Sequence, residues 1–211
     1  MTFLIVLAIV VWVAALLFKW KLPALLGRSG ESFVSGQLSK LDPAHYSVLG
    51  DLMLPSSGNT DTTQIDHVVV STYGIFVIET KSYSGWIFGN AYHRTWTQVI
   101  YRYKKTFYNP LRQNYAHIKA IEALIKPLFP AAPIVGYVIF PSADRLQISG
   151  TANVGHAVDI LPKIEAFHTP ALNEEQRQKV VELLMAANIS DRDRRKQHTR
   201  DTYALKAQSG Y

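Results

Sequence analysis

The 211-residue chain has no cysteine. Disulfides, thiolate zinc sites and thiol nucleophiles are therefore excluded from its chemistry. None of its seven histidines (His45, His67, His93, His117, His156, His168, His198) stands in a His-x-x-x-His or similar pair, so a histidine-only metal site is disfavoured and each reads as a structural or surface residue. Charge is absent from Thr2 to Phe18, an almost wholly apolar run that as a helix would reach roughly 25 Å. That is just long enough to span a bilayer. Lys19-Trp20-Lys21 then place an interfacial aromatic between two cations, and Pro23 closes the segment. No cation precedes the run and no small-x-small site follows it closely, which argues against a cleavable signal peptide. The expectation is a single-pass anchor over residues 1–21, with the bilayer as partner of residues 2–18. Because Lys19, Lys21 and Arg28 all follow the run, the soluble part is expected on the cytoplasmic side of the inner membrane.

The length suits one domain with a proper core plus attachments. The net charge of +6 is uneven: residues 1–97 balance at zero, residues 98–189 carry +3 and the last twenty-two carry +3. Such a field suits a polyanion, either nucleic acid or anionic lipid, although Lys and Arg also serve plain solubility.

Two carboxylates and an amine stand on what reads as one β-hairpin. Residues 64–70 (QIDHVVV) and 75–81 (IFVIETK) are rich in β-branched and aromatic residues and are joined through Tyr73-Gly74. Alternation puts Ile75, Val77, Glu79 and Lys81 on one face, and Phe76 and Ile78 on the other. A strand apolar on both faces is a covered one, where an unpaired ion costs several kcal/mol, roughly. Two readings of Asp66, Glu79 and Lys81 follow. In one, Glu79 and Lys81 are an ion pair at a fraying strand end. In the other, the acids hold Mg²⁺ and Lys81 orients, or helps to deprotonate, a water that attacks phosphorus.

Around the hairpin, the pattern predicts a helix over 29–41, a strand over 46–54, strands or a β-arm over 85–89 and 95–107, and a helix from Asn109-Pro110 to Pro130. A buried strand over 134–140, a loop over 141–150, a strand over 154–160 and a helix over 173–187 complete the domain. Residues 190–211 are polar and aperiodic and read as a mobile tail. The order αβββαβ predicts an α/β (α+β) fold, a mixed sheet with helices on its faces.

The segments Gly27-Arg28-Ser29-Gly30-Glu31, Gln64 to Val70, Gly74 to Lys81, Gly85-Trp86-Ile87-Phe88-Gly89 and Asn109-Pro110-Leu111-Arg112-Gln113-Asn114, in this order, resemble the nuclease-related domain (NERD) over residues 27–140. That family is similar to the PD-(D/E)XK nucleases, whose restriction-endonuclease-like αβββαβ core carries metal-binding acids on its second and third strands. The resemblance implies a domain over 22–189, Asp66 and Glu79 as ligands of Mg²⁺ (or Mn²⁺), and Lys81 at the attacking water. It implies Glu31 as a helix acid holding a metal-bound water or a second ion. Glu31 also reads as an acidic first-turn residue favoured by the helix dipole. Gln113 is similar in position to a glutamine that faces the site in some relatives, and reads equally as a helix-surface amide.

The leading expectation is a membrane-anchored, metal-dependent nuclease acting on DNA or RNA. The alternative is a module of the same fold that binds nucleic acid or protein without turnover. Arg102, Lys104, Lys105, Arg112 and Lys119 interleave with Tyr101, Tyr103, Phe107, Tyr108 and Tyr115, a mixture able to pair phosphates and stack bases. The same residues could also be core aromatics and solvated cations. A third reading, a scaffold held to anionic lipid by the tail cations, is weakened by three tail acids.

Overall fold

The computed structural model describes Trp12 and residues 29–209, apart from 57 and 59. The apolar run read as a membrane anchor lies outside these residues, Trp12 excepted. Among the described residues no helix is long and apolar enough to cross a membrane.

The described part of α1 (residues 29–38) leads into β1 (Tyr46–Pro55), β2 (Thr62–Ser71) and β3 (Gly74–Thr80). Three further strands, β4 (Gly85–Asn90), β5 (Thr95–Ile100) and β6 (Tyr103–Tyr108), precede α2 (Pro110–Ile125) and β7 (Ile134–Ile139). The chain closes with β8 (Ala143–Ser149), β9 (Val154–Gly155), α3 (Ile160–Glu165), α4 (Glu174–Ala187) and α5 (Arg192–Ser209). This is a mixed α/β fold with two mixed sheets. The first runs β1-β2-β3-β7-β9 and the second β6-β5-β4-β8.

β1, β2 and β3 are antiparallel neighbours, as the hairpin pattern predicts, and β3 then pairs parallel with β7. All seven residues of β3 are buried. Its two faces divide by parity. Ile75 and Val77 join Val68 and Val70 under Ala120, Ile121 and Ile125 of α2 and Val180 and Leu184 of α4. Phe76 and Ile78 face Val34 and Leu38 of α1 and Ile160 and Ile164 of α3. A helix on each face explains a strand that is apolar throughout.

The parallel pair β3/β7 hands over to a second parallel pair, β4/β8, in the other sheet. Val138 and Phe140 at the end of β7 pack with Ile87, Trp96 and Phe107, so one apolar cluster joins the two sheets. α2 starts as its sequence demands: the Asn109 side chain accepts the Leu111 N–H at 2.9 Å, and Pro110 occupies the first turn, where no N–H is needed.

Three sequence readings are corrected. Residues 143–149 are a strand and not a loop, because Leu146 and Ile148 alternate into the apolar cluster between the sheets. The strand expected over 154–160 ends at Gly155, where the Asp159 carboxylate accepts the His156 N–H at 2.7 Å and turns the chain into a 3₁₀ turn and α3. The tail expected to be aperiodic contains α5, which has almost no apolar face and docks instead through polar contacts. Arg195 donates to the Asp51 carboxylate (2.7 Å) and carbonyl (2.8 Å), and His198 Nδ1 meets Thr62 Oγ1 at 2.9 Å.

Candidate active site

The site forms at the end of β3, where the first sheet gives way to the second. The β2–β3 ladder pairs His67 with Ile78, which leaves Asp66 and Glu79 side by side just beyond it. The Asp66 carboxylate accepts the Thr80 N–H at 2.7 Å. Glu79 is 2% exposed, with Lys81 Nζ 2.5 Å from Oε1 and His117 Nε2 2.9 Å from Oε2. Lys81 Nζ also donates to Gln113 Oε1 at 2.8 Å. Gln113 and His117, four residues apart on α2, thus reach the same strand end, since helical residues at this spacing share a face.

Charge at this end is tightly coupled. Burial pushes the Asp66 carboxyl well above the usual carboxylate range, and neighbouring Glu79 adds to the rise, against opposition from Lys81 and the Thr80 N–H. Burial also raises Glu79, but Lys81 and the His117 hydrogen bond outweigh it and bring its carboxyl down to about 2. Burial lowers Lys81, yet Glu79 and Asp66 more than reverse this and hold its ammonium above the ordinary value. Lys81 is therefore a cation at neutral pH.

Glu31 sits exposed on α1 and lines an open groove with Ser32, Ser35, Asp51, Gln64 and Asp66. Its charge adds to the rise at Asp66. Among the described residues, however, no three His, Asp or Glu side chains gather closely enough to hold a metal. Both oxygens of Glu79 are already engaged by Lys81 and His117. Asp66 and Glu79 are nonetheless adjacent hard oxygen donors, and a divalent cation would relieve the repulsion by which Glu79 adds to the rise at Asp66.

Gln113, read from the sequence either as facing the site or as a surface amide, is half-buried and accepts from Lys81 at this strand end. Two further participants go beyond the sequence reading. His117 is 3% exposed and spans Glu79 and Thr63, whose Oγ1 lies 2.7 Å from Nδ1. Its one sequence signal is the i+4 spacing from Gln113. Asp51, in left-handed backbone at φ 53°, brings a further acid to the groove and is held there by Gln64 (2.7 Å) and Arg195. Nothing in its local sequence marks that conformation.

The basic candidates do not form one cluster. Arg102, Lys104 and Lys105 are exposed on the β5–β6 hairpin. Arg112, in the first turn of α2, donates to the Tyr92 carbonyl at 3.3 Å. Lys119, further along α2, pairs with Glu122 at 2.6 Å and lies 5.3 Å from the centre of the Tyr115 ring.

An αβββαβ core with an acid on each of its second and third strands, and a lysine two residues past the latter, defines a nuclease-like domain of the PD-(D/E)XK class. The family model for the nuclease-related domain matches residues 26–141, and the chain belongs to that family. It is 39% identical over 183 residues to an uncharacterized protein of Bacillus anthracis, a match covering 86% of this chain and 84% of that one. No solved structure matches.

Proposed function

We propose that the chain is a membrane-anchored, metal-dependent phosphodiesterase acting on nucleic acid. The observation that carries this reading is the convergence of Asp66, Glu79, Lys81 and Gln113 at one strand end, with the lysine cationic and fixed by two partners. Asp66 and Glu79, with Glu31 from α1, would hold Mg²⁺ or Mn²⁺. Such an ion supplies positive charge to a phosphoryl oxygen when bound. Lys81, being protonated, acts by donating hydrogen bonds: it orients the attacking water and stabilises negative charge gathering on the phosphoryl oxygens. Of the two roles expected for it, orientation is supported over deprotonation. Gln113 fixes the direction of Nζ, and His117 fixes the Glu79 carboxylate. In the reaction the water oxygen forms the new P–O bond, the bond to the leaving oxygen breaks, and that oxygen takes up a proton as the water loses one to solvent.

A specific observation favours a second reading, a binding module without turnover. The Glu79 oxygens are both engaged, and no three-ligand group is present among the described residues. A cleavage assay with and without Mg²⁺ or Mn²⁺, on single- and double-stranded DNA and RNA, separates the two. Metal-dependent cleavage that disappears in Lys81→Ala supports the enzyme. Absence of cleavage with every substrate and metal, or cleavage that survives Lys81→Ala, overturns the mechanism. Anchoring rests on the uncharged run over residues 2–18 and the Lys19-Trp20-Lys21 that follows it.

A further inference from the structure

We propose that the outer face of the second sheet is a platform for unpaired nucleic-acid bases, so that the substrate class of the site is single-stranded nucleic acid. This inference rests on the phosphodiesterase reading above. The sheet's inner face is filled by Ile87, Trp96, Phe107, Leu146 and Ile148. Its outer face carries a different set. The register aligns Arg145 on β8, Trp86 on β4, Val99 on β5 and Lys104 on β6 in one row across the sheet. Gln147, Phe88, Thr97 and Thr106 form the next row.

Trp86 is 46% exposed, on the face opposite the one that its neighbour Ile87 fills. Its ring lies 6.3 Å from that of Phe88, and the Arg145 guanidinium lies over it, 5.2 Å from its centroid, so that a base stacking on that face displaces the guanidinium toward its own phosphate. Trp86 and Tyr101, the latter 97% exposed at the tip of the β5–β6 turn, line one open cavity of about 430 Å³ together with Asp144. The face therefore presents aromatic rings between two flanking cations. The register puts two cations, Lys104 and Arg145, in the outer row, and Arg102 stands exposed at the β5–β6 turn, while Asp144 is the one acid across 85–108 and 143–149. The charge complement is a polyanion.

Rings select among polyanions. A base stacks on an aromatic side chain only when its own face is free, and a duplex hides those faces inside its stack. The platform is joined to the site by a short link: three residues, 82–84, separate Lys81 from β4, and Gln98 Nε2 donates to the Ser84 carbonyl at 2.8 Å.

The test measures binding of the full chain, with chelator and no divalent cation, to a labelled single-stranded DNA, the same sequence as RNA, and the corresponding DNA duplex, by fluorescence anisotropy. Single strands are expected to bind at least about tenfold more tightly than the duplex. Trp86→Ala should weaken single-strand binding by about five- to hundredfold, while Trp86→Phe retains most of it. Arg145→Ala should reduce the log–log salt slope by about one. Thr106→Glu, exposed on the same face, should weaken single-strand binding and decides the matter if Trp86→Ala does not fold. Equal affinity for duplex and single strand, or unchanged binding in Trp86→Ala or in Thr106→Glu, overturns the platform. Because no metal is present, the two proposals fail separately. Trp86-dependent binding without any cleavage leaves the platform standing and removes the enzyme, whereas cleavage of both substrate forms indifferent to Trp86 does the reverse.

Discussion

Asp66 is held in the folded chain at the expense of stability, because burial and Glu79 lift its carboxyl well above the usual range. The folded state therefore keeps a proton there that the unfolded chain has lost, and stability falls as pH rises through that window. Asp66→Asn removes the penalty while an amide oxygen can still accept the Thr80 N–H. Its thermal midpoint without divalent cation should exceed that of the parent at pH 8, and the two should converge below about pH 4. Lys81 acts in the opposite sense. Its removal leaves Glu79, 2% exposed, with His117 alone, so Lys81→Ala should cost about 3 kcal/mol in urea unfolding. Glu79→Gln combined with Lys81→Met should recover most of that stability and no cleavage. Strand parity makes the pairing of Glu79 and Lys81 legible in the sequence, since alternation is a local property, whereas the family resemblance is what sets Asp66 beside them. His117 and Gln113 are less so, because the rotation of a helix over a sheet is set by packing between distant segments and leaves no local mark.

The element that delivers those two residues is α2, and its seat on the sheet depends on one missing side chain. A Cβ at Gly136 would stand 2.7 Å from Ile118 Cδ1 and 2.8 Å from Asn114 Nδ2. Asn114 in turn donates to the carbonyls of Val77 and Tyr137 at 3.1 and 3.0 Å, pinning the helix across β3 and β7. Gly136→Ala should therefore lift α2, destabilise the fold by about 1–3 kcal/mol in chemical denaturation, and lower cleavage by drawing Gln113 away from Lys81. Elements with a clear apolar period, α2 and α4 among them, announce themselves in the residue pattern alone. α5 does not: its docking face is Arg195 and His198, and polar contacts to Asp51 and Thr62 have no periodic signature. β8 is hidden for another reason. Only Leu146 and Ile148 alternate inward, too few to stand out beside Asp144 and Arg145.

For the whole molecule, the apolar run before α1 leads to an expected topology. In osmotically opened cells whose inner membrane is sealed, protease added from outside should leave a C-terminal tag intact, and should remove it once the membrane is permeabilised. Deletion of residues 1–21 should move the chain into the soluble fraction. Degradation of the tag before permeabilisation would reverse the orientation. The parallel pairing of β3 with β7 also sets an order in time. Ile75 pairs with Ile134, so at ribosomal speeds of about 5–20 residues per second β3 waits about 3–12 s for its neighbour to be made. During that interval β1, β2 and β3 can form their meander, but β3 presents an apolar open edge to other nascent chains. Long-range pairing of this kind is slow to form even when the whole chain is present. The Glu79 end of β3 can close only after β7 and α2 are in place, so aggregation of growing chains, and not loss of finished ones, is the hazard that slower synthesis would aggravate.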